Sequence, residues 1–200
     1  NCVRMLKRKG GDAEFRENYL TLVEEGLDSI EETVGQLLWT AGNRDGEEKS
    51  SDVAGVLAGV VKFLDYRMGK QNIVFIDAIT EGLMIPVAPH DLEEIFLNTM
   101  INAIQAMEDG GRLTVTARKQ WNLIIIHIED TGTGIPKDKL NKVFNLFYST
   151  KKAGEGTGLG MWMTYELVVK YKGTIELQSE EGTGTIVTMT IPEAVRTIVY

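Results

Sequence analysis

Two hundred residues with 43% hydrophobic and 25% charged side chains suit one packed domain of moderate size, or such a domain with a short helical appendage. A formal net charge of −8 argues against nonspecific attachment to nucleic acid or an anionic membrane, so any nucleotide must be held by local groups rather than a basic surface. Cys2 is the single cysteine and excludes an intrachain disulfide, which fits a reducing, cytoplasmic setting; no apolar run approaches the roughly 20 residues of a membrane span, and the start is not a signal peptide.

The chain divides near residue 50. Residues 2–8 read as the last turns of a helix, closed by Gly10 and Gly11. Residues 14–41 contain no proline and place Leu20, Val23, Leu27, Ile30, Val34 and Leu37 at alternating steps of three and four. Such a narrow seam packs against other helices in a bundle. Residues 1–45 are therefore expected to be part of a helical hairpin that needs a second copy to bury its seam, as a homodimer would. Residues 43–52 are polar, carry Gly46 and read as a linker.

Residues 51–195 alternate elements. A helix is predicted over 53–68, then strands over 73–79 and 83–87 around the Glu81-Gly82 turn. A long helix is predicted over 91–107, ended by Gly110 and Gly111. Strands over 113–118 and 123–128 form a hairpin; a helix from about 157 to 171 and a last hairpin, 174–179 with 185–191, complete the order. The expected architecture is an α/β, or α+β, two-layer sandwich: helices on one face of a mixed, mostly antiparallel sheet.

Four segments carry chemistry. In FLNTMINAIQAM (residues 96–107), Asn98 and Asn102 share a helix face, and an Asn carbonyl is a hard oxygen suited to magnesium. In EDTGTGI (129–135), Asp130 ends a strand where a carboxylate can accept a hydrogen bond from an adenine amino group, and Gly132 and Gly134 permit close approach. FNLFYSTK (144–151) is followed by GEGTGLGM (154–161), whose glycines precede a helix whose free N–H groups suit phosphate oxygens. The spacing is neither the dinucleotide fingerprint nor a P-loop. Taken singly, each segment has a plainer reading: solvated asparagines, a strand-ending turn, core aromatics, a flexible connector.

These motifs, in this order, resemble the nucleotide-binding domain shared by sensor histidine kinases, DNA gyrase, MutL and a heat-shock chaperone, called the Bergerat or GHKL fold. Within it, FNLFYSTK with GEGTGLGM and the hairpin EEGTGTIVTMTIP are most similar to sensor histidine kinases of the nitrogen-regulation type. The resemblance implies ATP and Mg2+ as cofactors, with Asn102 on the metal and Asn98 on the phosphate side, both counted as catalytic. It implies that Asp130 reads adenine, that Gly132 and Gly134 shape the base site, that Gly156, Thr157, Gly158 and Gly160 line the phosphates, and that Ala103, Ile135 and Leu159 also belong to the nucleotide site. Phe144 and Phe147 would anchor a lid over residues 135–155, with Lys151 as a phosphate contact.

In the hydrolysing relatives, a glutamate one turn before the metal Asn activates water. Asn98 holds that place here, and an amide cannot act as a general base. The resemblance therefore implies phosphoryl transfer to a protein histidine, for relay to the receiver domain of a response regulator. His90 and His127, the two histidines of the chain, lack the acceptor context, so the sequence reads as a fragment of a longer sensor, soluble or membrane-anchored, and unable to phosphorylate itself. Two other readings stay open: a non-catalytic nucleotide-gated dimerisation module, and a GHKL ATPase outside signalling.

Overall fold

The computed structural model describes residues 50–149 and 157–193. The expected helix over 14–41, the hairpin domain of 1–45 resting on it, Lys151, Gly154 and Gly156 lie outside the described residues.

Helix α1 (Val53–Lys70) begins where the Asp52 side chain accepts a hydrogen bond from Gly55 N at 3.2 Å. Val53, Leu57, Val60, Leu64 and Met68 recur at helical spacing and are buried. Helix α2 (Pro89–Gln105) opens on a proline at its first turn and buries Leu92, Ile95, Phe96, Met100, Ala103 and Ile104. The short helix α3 (Lys137–Leu140) has no buried residue. Helix α4 (Gly160–Lys170) buries Met163, Thr164, Leu167 and Val168.

Five strands form the main sheet in the order β2-β4-β5-β7-β6: β2 (Ile73–Ile79), β4 (Gly111–Gln120), β5 (Leu123–Asp130), β7 (Gly184–Pro192) and β6 (Thr174–Glu180). Strand β2 runs parallel to β4, and the other neighbours are antiparallel. The sheet is mixed, as expected. Alternation assigns its faces: Leu113, Val115 and Ala117, Ile124, Ile126 and Ile128, and Val187, Met189 and Ile191 are buried on the helix side. Thr114, Thr116, Ile125, His127, Thr188 and Thr190 fall on the other face and are half-buried. Asp130 pairs with Leu113 and Thr185 and so faces the helices.

Three expectations need correcting. The apolar alternation over 83–87 reads as a strand hairpinned to 73–79. Instead Met84–Ile85 (β3) pairs with Ser51–Asp52 (β1), inside the expected linker. Because β2 lies parallel to β4, the chain must cross over through α2 instead of turning back. Leu83, Ile85 and Val87 are buried, fixed by Val53 N to Leu83 O at 3.0 Å and Ser51 Oγ to Val87 O at 2.5 Å. Helix α2 stops at Gln105 rather than Met107, and α4 begins at Gly160 rather than Thr157 because Gly158 has φ +67°, outside the helical region.

Candidate functional site

Asn98 and Asn102 project one turn apart from α2, both half-buried, on the side away from its buried core residues. Asn98 Nδ2 donates to Glu94 Oε1 at 3.1 Å. Its Oδ1 lies 3.2 Å from where a Cβ on Gly160 would sit. The first residue of α4 thus abuts the asparagine face of α2, and two motifs far apart in sequence meet. Gly160 is the residue that permits this approach, since any side chain would press on the amide oxygen. Ala103 is 4% exposed and supports this wall from the core side.

At the start of α4, Leu159 is the N-cap and no side chain caps the helix. An 11-residue helix with an uncapped start presents N–H groups and the positive end of its dipole, the local equivalent of a phosphate ligand. Gly158 packs so closely that a Cβ would lie 2.5 Å from the Phe147 carbonyl carbon. Thr157 and Leu159 are half-buried at the same stretch.

Asp130 is 8% exposed, and its Oδ1 accepts from Gly132 N at 2.9 Å. Burial pushes its carboxyl above the ordinary carboxylate range; backbone bonds from Gly132 and Thr185 oppose that, and Glu129 adds to it. An ionised carboxylate keeps lone pairs beyond the two these amides use, so it can take a further donor such as an exocyclic amino group.

The turn after Asp130 is clamped on three sides. Thr133 N donates to Ala106 O at 2.9 Å, Ile135 N to Ser179 Oγ at 2.8 Å, Gly182 N to Thr133 O at 2.7 Å, and Arg112 N to Thr131 Oγ1 at 3.0 Å. Gly132 and Gly134 were expected to make room for a base. The structure gives them a further reason to be glycine, room for the protein itself: a Cβ on Gly132 would lie 2.5 Å from Ala106 O, and one on Gly134, at φ +66°, 2.1 Å from Glu180 O.

Beyond this turn none of residues 133–149 is buried. Phe144 packs on Tyr165 of α4, ring centroids 5.8 Å apart. Phe147 is 71% exposed at φ +62°, so of the two expected anchors only Phe144 has its ring packed. Phe147 contributes backbone, against Gly158, and its ring is left facing outward.

Neither histidine adjoins the asparagine face. His90 is exposed at the start of α2. His127 lies on the open face of the sheet with Nδ1 2.9 Å from Thr188 Oγ1, and burial with Arg118 holds its pKa down against the pull of Glu129.

Sequence reading missed the Glu94–Asn98 bond, although the four-residue spacing allows it. It also missed a clasp between the ends of two helices. Buried Asp91 accepts from Tyr171 Oη at 2.5 Å and Lys170 Nζ at 2.7 Å, while Tyr171 Oη accepts from Ala88 N at 3.1 Å. Nothing local marks Tyr171 for that role.

Among the described residues no group of three or more His, Cys, Asp or Glu gathers to hold a metal ion. The oxygens available are asparagine amides beside an uncapped helix start. That donor set fits a magnesium ion carried largely by nucleotide phosphates and water.

The family model for histidine kinase-, DNA gyrase B-, and HSP90-like ATPase matches residues 88–195. Sporulation kinase E of Bacillus subtilis (strain 168) is 30% identical over 176 residues, taking in 87% of this chain and 24% of that protein. The chain thus spans about a quarter of that relative. Among solved structures, full-length ShkA in complex with AMPPNP matches with TM-score 0.70 at 24% identity, over 92% of this chain and 40% of that one. Histidine kinase ThkA in complex with response regulator protein TrrA matches with TM-score 0.71 at 18% identity, over 96% of this chain and 57% of that one.

Proposed function

As the chain belongs to the histidine kinase-, DNA gyrase B- and HSP90-like ATPase family and carries a histidine kinase catalytic domain, we propose that it binds Mg-ATP and transfers the γ-phosphoryl group to a histidine other than His90 and His127, the two in this sequence, for relay to a response regulator. The observation that carries this reading is the meeting of Asn98 with the uncapped start of α4. Phosphoryl transfer depends mainly on positioning and on neutralising charge, and these are what such a pocket supplies.

Each residue has a role in this reading. Asp130 accepts the adenine amino group. The N–H groups at the start of α4, with Gly158 and Gly160, hold phosphates. Asn102 would hold the magnesium ion, which when bound neutralises phosphate charge; Asn98, expected only on the phosphate side, is assigned to the same ion in this reading because its Oδ1 faces the start of α4. The lid that begins at Ile135 covers the nucleotide, with Phe144 as its packed anchor. Asn98 offers no base to activate water, which favours transfer to a protein group over an ATPase outside signalling.

The acceptor comes from elsewhere, since His90 and His127 are placed away from the asparagine face. A helical hairpin over residues 1–45 would pair two copies, and a receiver domain is the natural acceptor of the relay; ThkA, which shares the fold, was solved in complex with a response regulator. A cytoplasmic location suits ATP as the donor, and no described helix is long and apolar enough to cross a membrane. The test supplies a separate His-bearing hairpin with γ-labelled ATP and magnesium. Acid-labile label on that hairpin is expected; binding of ATP without any transfer would point to a nucleotide-gated module instead.

A further inference from the structure

We propose that Glu94 is a positioning residue that decides which end of the Asn98 amide the site receives, so that Asn98 meets Mg-nucleotide as an oxygen ligand and not as an N–H donor. This rests on the nucleotide-site reading above. An asparagine amide offers a carbonyl on one side and an NH2 on the other, and rotation about its last bond exchanges them over a broad, shallow profile. Glu94 removes that freedom. Its carboxylate can only accept, and it lies 3.1 Å from one terminal atom of the amide, which must then be Nδ2. The oxygen is left on the opposite side, toward Gly160 at the start of α4.

The division of labour follows from the two helix faces. The uncapped start of α4 already supplies N–H groups, the partners phosphate oxygens need. To these α2 adds an amide oxygen of the kind a hard cation takes. If Asn98 turned its NH2 inward, it would duplicate what α4 provides and face a metal with a donor.

Glu94→Gln and Glu94→Met separate charge from orientation, because both lose the charge while only Gln keeps a carbonyl that accepts from Nδ2. Affinity for a non-hydrolysable ATP analogue is measured by calorimetry with magnesium and with EDTA. Both variants should bind equally well in EDTA. Glu94→Met should lose about 10-fold of the gain that magnesium gives, the usual scale for removing a residue that orients a metal ligand, and Glu94→Gln should retain most of it. Independently of nucleotide, the Asn98 side-chain NH2 resonances of the free protein, identified by their loss in Asn98→Asp, should be alike in the parent and Glu94→Gln and shifted in Glu94→Met. Glu94→Ala serves in place of Glu94→Met should that variant not fold. An unchanged magnesium gain in Glu94→Met, or NH2 resonances that do not respond to it, would overturn the proposal. If the parent protein binds no nucleotide at all, the functional reading fails and the metal half with it, while the resonances still decide the orientation.

Discussion

Replacing Asp130 with asparagine is the most direct probe of the base site. The carboxylate serves the N–H groups of Gly132 and Thr185 and, in the proposed complex, the adenine amino group. An amide has one oxygen and one NH2, so with the oxygen kept on Gly132 the NH2 faces another donor. One charge-assisted bond to the base is then lost, worth about 1–3 kcal/mol. With 1.4 kcal/mol per tenfold in affinity, the dissociation constant should rise roughly 5- to 150-fold. Calorimetric titration of both proteins with an ATP analogue at fixed magnesium measures it, with circular dichroism confirming that the variant is folded. Equal affinity in a folded variant would refute the base-reading role.

The same residue predicts a pH effect with a definite sign. Its pKa in the folded chain lies above 3.8, so the folded state takes up a proton more readily than the unfolded one. The stability of the parent relative to Asp130→Asn should therefore increase as pH falls through the raised value, levelling off below 3.8. Affinity for ATP should move the opposite way over that window, since the ionised carboxylate is the better acceptor; an advantage that shrinks on acidification would contradict the burial argument.

Three further outcomes are expected. Gly134→Ala should destabilise the fold by more than about 2 kcal/mol in urea titration, because the backbone is left-handed there and a Cβ would meet Glu180 O; a loss under half that would mean the turn can shift. Tyr171→Phe removes a donor from buried Asp91 and should cost about 1.5–3 kcal/mol, seen as a lowered Tm, whereas an unchanged Tm would show that Lys170 alone satisfies the carboxylate. Amides of residues 137–149 should exchange rapidly without nucleotide and slow when an ATP analogue binds, because no side chain there is buried; slow exchange in the free protein would argue against a lid.

The sequence alone determined the types of the long elements and the two-layer class, and its short motifs singled out Asn98, Asn102, Asp130 and the glycines as candidates, because these depend on local periodicity and spacing; it did not show β1 or the short helix α3. The apolar spacing of α1 and α2, and the alternation of β4, β5 and β7, are set by which faces meet the core. Pairing partners are not local. Whether residues 83–87 turn back on β2 or cap the helices depended on β2 running parallel to β4, a choice made by a strand well downstream. Tertiary structure also decided why Gly132 and Gly134 must be glycine: α2 and the β6–β7 turn press on that loop. It separated Phe144, which packs on Tyr165, from Phe147, which does not. It fixed the orientation of Asn98 through Glu94 and joined α2 to α4 through Asp91 and Tyr171. A side chain's partner belongs to the packed fold, because packing alone brings distant backbone within hydrogen-bond reach.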